Sequence, residues 1–325
     1  MTNTNALRER IIETAKKCGA DIVGFAPANR FGADDPVFRI FPETKTVIGL
    51  LFRVLRGAYR TVEEGTTYYQ YTTMGVENLE EIVMPMAQIR VCDIIENEGY
   101  CTLPQKRFQT IMEAADSTNP EVDYREIYRG NDKEVQMNFE DAAVKCGLGE
   151  LGFSGRLLTD EFGPFVRYCF ILTDAEFEPT PLEKPHLCDN CRECENACHG
   201  HAIREDGSLD EWRCAVYYNG ANGSKNPFMP PEALSDFDDR LEIIAGEAKI
   251  TTEKAKKILD SLFYYPPVKH SLRSSICGRA CDRACYIHLE KEGKLTKRFA
   301  HKFREGEDWK LSTEQFENYK PGKNN

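Results

Sequence analysis

Residues 188–198 read Cys-Asp-Asn-Cys-Arg-Glu-Cys-Glu-Asn-Ala-Cys, so Cys188, Cys191, Cys194 and Cys198 fall in the order C-x2-C-x2-C-x3-C. This is the spacing with which bacterial chains hold [4Fe–4S] cubanes, three sulfurs on one cluster and the fourth on a neighbour. Thiolate is a soft ligand that selects iron–sulfur clusters or zinc. Zinc sites usually draw on two separated pairs, so four cysteines in one short run point to a cluster. A second group follows at Cys214, Cys277, Cys281 and Cys285. Eight thiolates match two clusters at four each. If the last cysteine of each run crosses over, Cys188, Cys191, Cys194 and Cys285 hold one cluster. Cys198, Cys214, Cys277 and Cys281 then hold the other. Cys277-x3-Cys281-x3-Cys285 is one residue longer in its first gap than the usual run, and His199 and Tyr286 stand where proline normally follows. The alternative is a single cluster, with Cys277, Cys281 and Cys285 structural or bound to a different metal.

The remaining composition narrows the class. The chain has 325 residues and 13 cysteines, is 41% hydrophobic and carries a formal charge of -11. Its length suggests about two domains. Disulfides are rare in cytosolic proteins and a chain this long needs none, so metal binding accounts for the clustering. No apolar run reaches the roughly 18 residues of a membrane helix. Arg8, Glu9, Arg10 and Glu13 interrupt any leader-like segment, and the expected location is the cytoplasm. An acidic chain lacks the field that displaces phosphate counterions, so nucleic acid is not the expected partner. One basic stretch stands out nevertheless: Lys294, Lys297, Arg298, His301, Lys302 and Arg304. Its plain reading is a solvated helix face.

Around the cysteines, periodicity places the elements. Leu7, Ile11, Ile12, Ala15 and Cys18 share a stripe that predicts a helix over 6–18. Residues 20–26, 46–52, 100–103 and 166–173 read as strands. Val76, Leu79, Ile82, Val83, Met86, Ile89 and Ile95 predict a helix over 76–98 closed at Gly99, and residues 134–146 predict another. Helices alternating with strands indicate a layered α/β domain. Pro179, Pro181 and Pro185 mark a boundary. The expected division is an α/β domain over 1–178, a two-cluster domain over 179–290 with a helical insertion at 220–268, and a tail over 291–325. Cys18, Cys92, Cys101, Cys146 and Cys169 fall in predicted helices or strands as small buried hydrophobes. His199, His201 and His288 flank the cysteine runs as ordinary surface histidines or as donors to sulfur.

Upstream of the first run lies Cys146-Gly-Leu-Gly-Glu-Leu-Gly-Phe-Ser-Gly155, then Leu157-Leu-Thr-Asp-Glu-Phe-Gly-Pro164 and a strand ending at Thr173-Asp174. Its glycines permit tight turns or close approach to a ligand. This order of parts resembles the corrinoid-dependent reductive dehalogenases and their relatives, the epoxyqueuosine reductases, over most of residues 5–290. The resemblance implies a nitroreductase-like α/β domain of corrinoid-binding type, followed by a bacterial two-cluster ferredoxin-like domain. It implies two [4Fe–4S] clusters and a base-off cobalamin, Gly147, Gly149, Gly152 and Gly155 against the cofactor, and a tyrosine or acid with a nearby cation as proton source. Tyr100, Glu150 and Arg156 are the candidates, with Tyr128 a further tyrosine. Phe153 stands where both subfamilies place a cation. No D-x-H-x-x-G segment is present, so a histidine-ligated corrinoid is not expected.

The implied activity is an oxidoreductase that passes single electrons to a corrinoid reducing a small molecule. The implied partner is a low-potential donor of ferredoxin or flavodoxin type. One alternative is an electron-transfer protein serving a separate corrinoid protein or flavoenzyme. Another is a tRNA-modifying reductase, to which the basic stretch belongs.

Overall fold

Two eight-residue apolar runs, Thr46–Arg53 and Val166–Thr173, become the two inner strands of a four-stranded sheet. Seven of the eight residues in each are buried, as expected for a strand covered on both faces. In the computed structural model, residues 3–107, 135–223, 226, 229, 232–262, 277–307, 309–310 and 312–318 are described. Strand β1 (Ile22–Pro27) pairs antiparallel with β2 (Thr46–Arg53). Strand β3 (Thr102–Gln105) pairs antiparallel with β6 (Val166–Thr173), and the order is β1-β2-β6-β3. Strands β4 (Glu150–Leu151) and β5 (Leu157–Leu158) form a separate small hairpin.

The chain divides into two compact units that interleave along the sequence. One comprises Met1–Phe52, Met84–Leu148 and Tyr168–Leu182; the other comprises Arg53–Val83, Gly149–Arg167 and Glu183–Asn325. This differs from the consecutive division at 178 and 290 expected from the prolines. The glycine hairpin and the segment after β2 leave the sheet and join the cysteine-bearing unit.

In the first unit the helix Asn3–Lys17 packs on the helix Met84–Glu96, burying Leu7, Ile11 and Ala15. Gly24 and Gly49 face each other across β1 and β2. A Cβ at Gly24 would lie 2.0 Å from the Cys146 carbonyl oxygen, so both the glycine and the buried Cys146 are set by close chain packing. Cys92 and Cys169 are buried as expected, whereas Cys101 is exposed, just before β3 begins.

The expected helix over 76–98 differs in kind. Residues Tyr71–Glu77 and Leu79–Val83 are π-helical, and α-helix begins only at Met84. A π-turn carries more residues than an α-turn, so a stripe read at 3.6 residues drifts out of phase. Ile82, Met86 and Ile89 are accordingly exposed and Met84, Ala87 and Val91 are buried instead, while Val76 and Ile95 are buried as expected.

The second unit is mainly helical: Arg56–Glu63, the π-helical turns, Glu193–Asn196, Glu211–Tyr218, Arg240–Ala245, Thr252–Ser261, Ala280–Lys291 and Thr313–Glu317. Tyr59, Tyr71, Phe165, Tyr286 and Phe303 form one of its cores, with Tyr59 and Tyr286 stacked on opposite sides of Phe165. The insertion after Cys214 builds a second core around Val216, Ile243, Ile244, Ala255 and Ile258. The Thr251 side chain caps the helix Thr252–Ser261 by accepting from the Lys254 amide. Tyr128 lies outside the described residues. In the tail, the Trp309 amide donates to the Glu63 carbonyl and the Trp309 ring lies against Gly65.

Candidate iron–sulfur centre

The first cysteine run folds as a loop that alternates the hand of its backbone. Asn190 and Arg192 adopt φ of 60° and 66° on either side of Cys191. Alternating left- and right-handed residues point successive N–H groups into a concavity, a form of backbone that suits phosphates and iron–sulfur sites. Beside Cys277 two consecutive residues, Gly278 and Arg279, are left-handed, with φ of 62° and 48°, and they precede the helix Ala280–Lys291. That helix carries Cys281 and Cys285 one turn apart, and it packs on the short helix Glu193–Asn196 that carries Cys194.

These elements bring the eight cysteines together in two sets. Cys188, Cys191, Cys194 and Cys285 line one cavity with Phe153 and His288. Burial pushes the Cys285 thiol up, with Cys194, Cys188 and Cys191 in its electrostatic field. In the other set, burial pushes Cys214 up to about 12, with Cys277 and Cys198 close enough to add to the shift. Cys281 is raised well above the ordinary thiol by burial, and it feels Cys277 and Cys198 as well. The grouping is the one obtained by letting Cys198 and Cys285 change places. Thiols held up by burial ionise when a cation takes the proton's place, which is the chemistry of a metal site. Among the described residues no three of these sulfurs come within 4.8 Å of one another.

The glycine hairpin forms the wall of the first set. Its turn is closed by the Gly152 amide donating to the Arg156 carbonyl at 2.8 Å and by Gly155 at φ 69°. The Phe153 amide in this turn donates to the Cys188 sulfur at 3.2 Å, and burial raises the Cys194 thiol, with nearby Ser154 opposing the shift. Donors to cluster sulfur are among the groups that set an iron–sulfur potential. The Arg192 guanidinium lies 3.8 Å from the centre of the Phe153 ring and bonds Glu195 and the Glu205 carbonyl, covering the cavity.

Other expected site residues take different places. The Glu150 carboxylate accepts from the amides of His186, Leu187 and Cys188 at 2.5, 3.0 and 2.9 Å. It anchors the first cysteine loop. Arg156 lies beside Arg279, which opposes its charge, with Asp282, Cys281 and Cys214 in its field; it belongs to the surroundings of the second set. Tyr100 is a surface residue, 36% exposed, on the turn between the helix Met84–Glu96 and β3. A Cβ at Gly147 would meet Thr180 and the Pro181 carbonyl at 2.9 and 3.0 Å; one at Gly149 would lie 2.2 Å from the Leu158 carbonyl; one at Gly152 would meet Leu158 at 3.0 Å. The protein's own packing accounts for these three glycines, and the left-handed turn accounts for Gly155. None of them supplies a cradle that only a corrinoid would explain.

Sequence reasoning missed the ion network at the rim. Asp189 accepts from Lys294 at 2.8 Å and pairs with His288 at 2.9 Å, and both contacts hold its carboxyl well below the usual range. Its only trace in the sequence is an acidic residue between two cysteines.

With this geometry in place, the local likenesses become informative. The tetrachloroethene reductive dehalogenase of Desulfitobacterium hafniense is 36% identical over 80 residues, 24% of this chain and 14% of that protein. The epoxyqueuosine reductase of Bacillus subtilis is 27% identical over 107 residues, 33% of this chain and 26% of that protein. Parts of this chain are thus similar to parts of a reductive dehalogenase and of an epoxyqueuosine reductase. The matched stretches span about a quarter or less of those relatives' lengths. No protein-family model matches the chain. Among solved structures, an epoxyqueuosine reductase with an epoxyqueuosine-modified tRNA-Tyr stem loop overlays 90% of this chain and 84% of its own, at 15% identity and a TM-score of 0.43. A reductive dehalogenase described as B12-dependent overlays 89% of this chain and 37% of its own, at 14% identity and the same score. No helix among the described residues is long and apolar enough to cross a membrane.

Proposed function

We propose that this chain is a cytoplasmic iron–sulfur oxidoreductase. Its two [4Fe–4S] clusters pass single electrons to a corrinoid, and a small molecule is reduced in the manner of a reductive dehalogenase. The reading includes a nitroreductase-like domain and a two-cluster ferredoxin-like module. The observation that carries it is the convergence of Cys188, Cys191, Cys194 and Cys285 on one cavity, with Cys198, Cys214, Cys277 and Cys281 grouped beside Arg156. The first four would hold one cluster and the second four the other. Glu150 fixes the loop that presents Cys188, and the Phe153 amide donates to its sulfur, which favours the more negative, reduced state. Arg192 and Phe153 stack at the wall of that cavity. A bound corrinoid would supply the metal-centred chemistry on the substrate, with the protein supplying position and electrostatics. No residue of this chain is assigned to it.

The test is anaerobic isolation followed by iron, sulfide, cobalt and corrinoid analysis. The reading expects about eight iron atoms per chain and a corrinoid spectrum. A reconstituted protein that holds its iron and never takes up cobalamin would remove the corrinoid. It would leave the second reading, an electron-transfer protein serving a separate corrinoid protein or flavoenzyme. The internally packed glycines favour that alternative. The likeness to epoxyqueuosine reductase keeps a tRNA substrate as a third reading, because net charge alone does not exclude RNA. A modified stem loop that fails to bind even at low salt ends it.

A further inference from the structure

The basic stretch at 294–304 has no task in the electron path described so far. It contains five lysines and arginines and no acidic residue, in a chain of net charge -11. The structure straps it across the first cysteine set. The Lys294 amine donates to the Leu187 carbonyl at 2.7 Å and to Asp189 at 2.8 Å, on either side of Cys188. The Arg56 guanidinium donates to the Tyr286 hydroxyl at 3.1 Å and to the His301 carbonyl at 2.9 Å, and Tyr286 follows Cys285 directly.

Two of the cations are therefore used inward: Lys294 as above, and Arg304 on Glu63. Arg298 and Lys302 are exposed, Arg298 also donating to the Gly293 carbonyl, and Lys297 is half-buried with its amine over the Phe162 ring. Lys297, Arg53, Arg56 and one acid, Glu161, line a cavity of about 260 Å³ walled by Val54, Phe162, Phe165, Tyr286 and Phe299. Leu55 is 62% exposed and Phe299 44% exposed at its mouth. An apolar, aromatic centre ringed by arginine and lysine is the composition of a protein-binding patch.

We propose that this patch, centred on Phe299 and rimmed by Lys297, Arg298 and Lys302, is the docking surface for an acidic one-electron carrier protein that reduces the cluster held by Cys188, Cys191, Cys194 and Cys285. The inference rests on the electron-transfer reading above and names where its donor sits. Charge complementarity argues for the occupant: on an acidic protein, a local basic patch steers an acidic partner to one place and repels it elsewhere. Position argues for the purpose, because the strap is tied to both chain segments that carry the first cysteine set, and Cys191 is exposed. An RNA stem would call for positive charge spread along several phosphates, and this patch is small, with few cations.

The experiment mixes the oxidised, reconstituted full chain with photoreduced flavodoxin hydroquinone under anaerobic stopped flow and follows bleaching of the cluster band. In the triple variant Lys297→Glu, Arg298→Glu, Lys302→Glu the second-order rate should fall by about tenfold or more at low ionic strength, and its salt dependence should flatten. A control carrying Lys16→Glu, Lys17→Glu and Lys249→Glu has the same net charge and should keep most of the rate. Dithionite, which needs no docking site, should reduce wild type and both variants alike. An unchanged flavodoxin rate in the triple variant, with dithionite reduction intact, overturns the surface while leaving the function standing. A tRNA stem loop that binds wild type, and loses binding in the triple variant while the flavodoxin rate holds, makes the patch an RNA site and overturns it too. A chain with no dithionite-reducible cluster sinks both this surface and the function it serves.

Discussion

The backbone amide of Phe153 points at the sulfur of Cys188, 3.2 Å away. The donor belongs to a glycine-rich turn and the acceptor to the first cysteine run, 35 residues later. This contact makes the glycine segment part of the wall around the sulfurs. Gly149 then serves chain packing, since its missing Cβ would stand 2.2 Å from the Leu158 carbonyl. Gly149→Ala should cost about 1–3 kcal/mol through overpacking, in protein that has never met a corrinoid. Gly155→Ala meets nothing within 4 Å and should cost only about 1 kcal/mol for its left-handed backbone. Denaturant unfolding of both variants measures this. A stable Gly149→Ala protein that had lost only cobalamin binding would return the glycine to the cofactor.

The two cysteine sets make a prediction about additivity. Cys191→Ser or Cys285→Ser should each remove about four of about eight iron atoms, and so should Cys214→Ser or Cys281→Ser. Cys191→Ser combined with Cys285→Ser should lose no more than either alone, because both act on one cluster. Cys191→Ser combined with Cys281→Ser should lose nearly all. Cys146→Ser and Cys169→Ser, in the buried sheet unit, should retain full iron. Iron analysis and the absorbance of the isolated variants read these outcomes.

His186 predicts a pH dependence. Its imidazole bonds the Lys184 carbonyl and then the Asp160 carboxylate at 2.7 Å, and both raise its pKa above the ordinary histidine value. The raised value adds stability that is complete below about pH 6.5, the unfolded value, and disappears as pH rises through the folded one. The ring is 53% exposed, so the contribution is small. An NMR titration should find the His186 pKa above the ordinary histidine value, and Asp160→Asn should bring it down. A histidine that titrates identically in both proteins would show that the pair does not form.

Glu63 lies buried at 1% exposure and accepts from Arg283, equally buried, and from Arg304. Arg283 also donates to the Gly278 carbonyl at 2.9 Å, so the ion pair braces the turn between Cys277 and Cys281. Removing one partner of a buried pair typically costs about 3–5 kcal/mol. Glu63→Ala should lower stability by that order, and iron retention should fall with it. Combining it with Arg283→Met should recover part of the loss, because no charge is then left stranded. Thermal unfolding and iron content of the three proteins decide the point.

Two of the strands were legible because apolar runs of eight residues leave few alternatives. Val166–Thr173 forms where its sequence places it, and Thr46–Arg53 extends its predicted run by one residue. The helix around residues 76–98 was legible in existence but not in phase. Its π-helical turns depend on tertiary packing, and no local residue signals them. Glu150 illustrates the same limit at the site. An acid in a glycine segment reads as a candidate catalyst, and only the fold shows three amides from residues 186–188 converging on it.

By itself, the sequence determined that four cysteines stand at cluster spacing with four more downstream, and that the chain carries alternating helix and strand, because ligand chemistry and apolar periodicity are local properties. Tertiary structure alone decided which cysteines share a cavity, which units the glycine hairpin and the segment after β2 join, and that the basic stretch lies across the first cysteine set. Each of these depends on which distant segments bury surface against one another, and spacing along a chain carries no record of that choice.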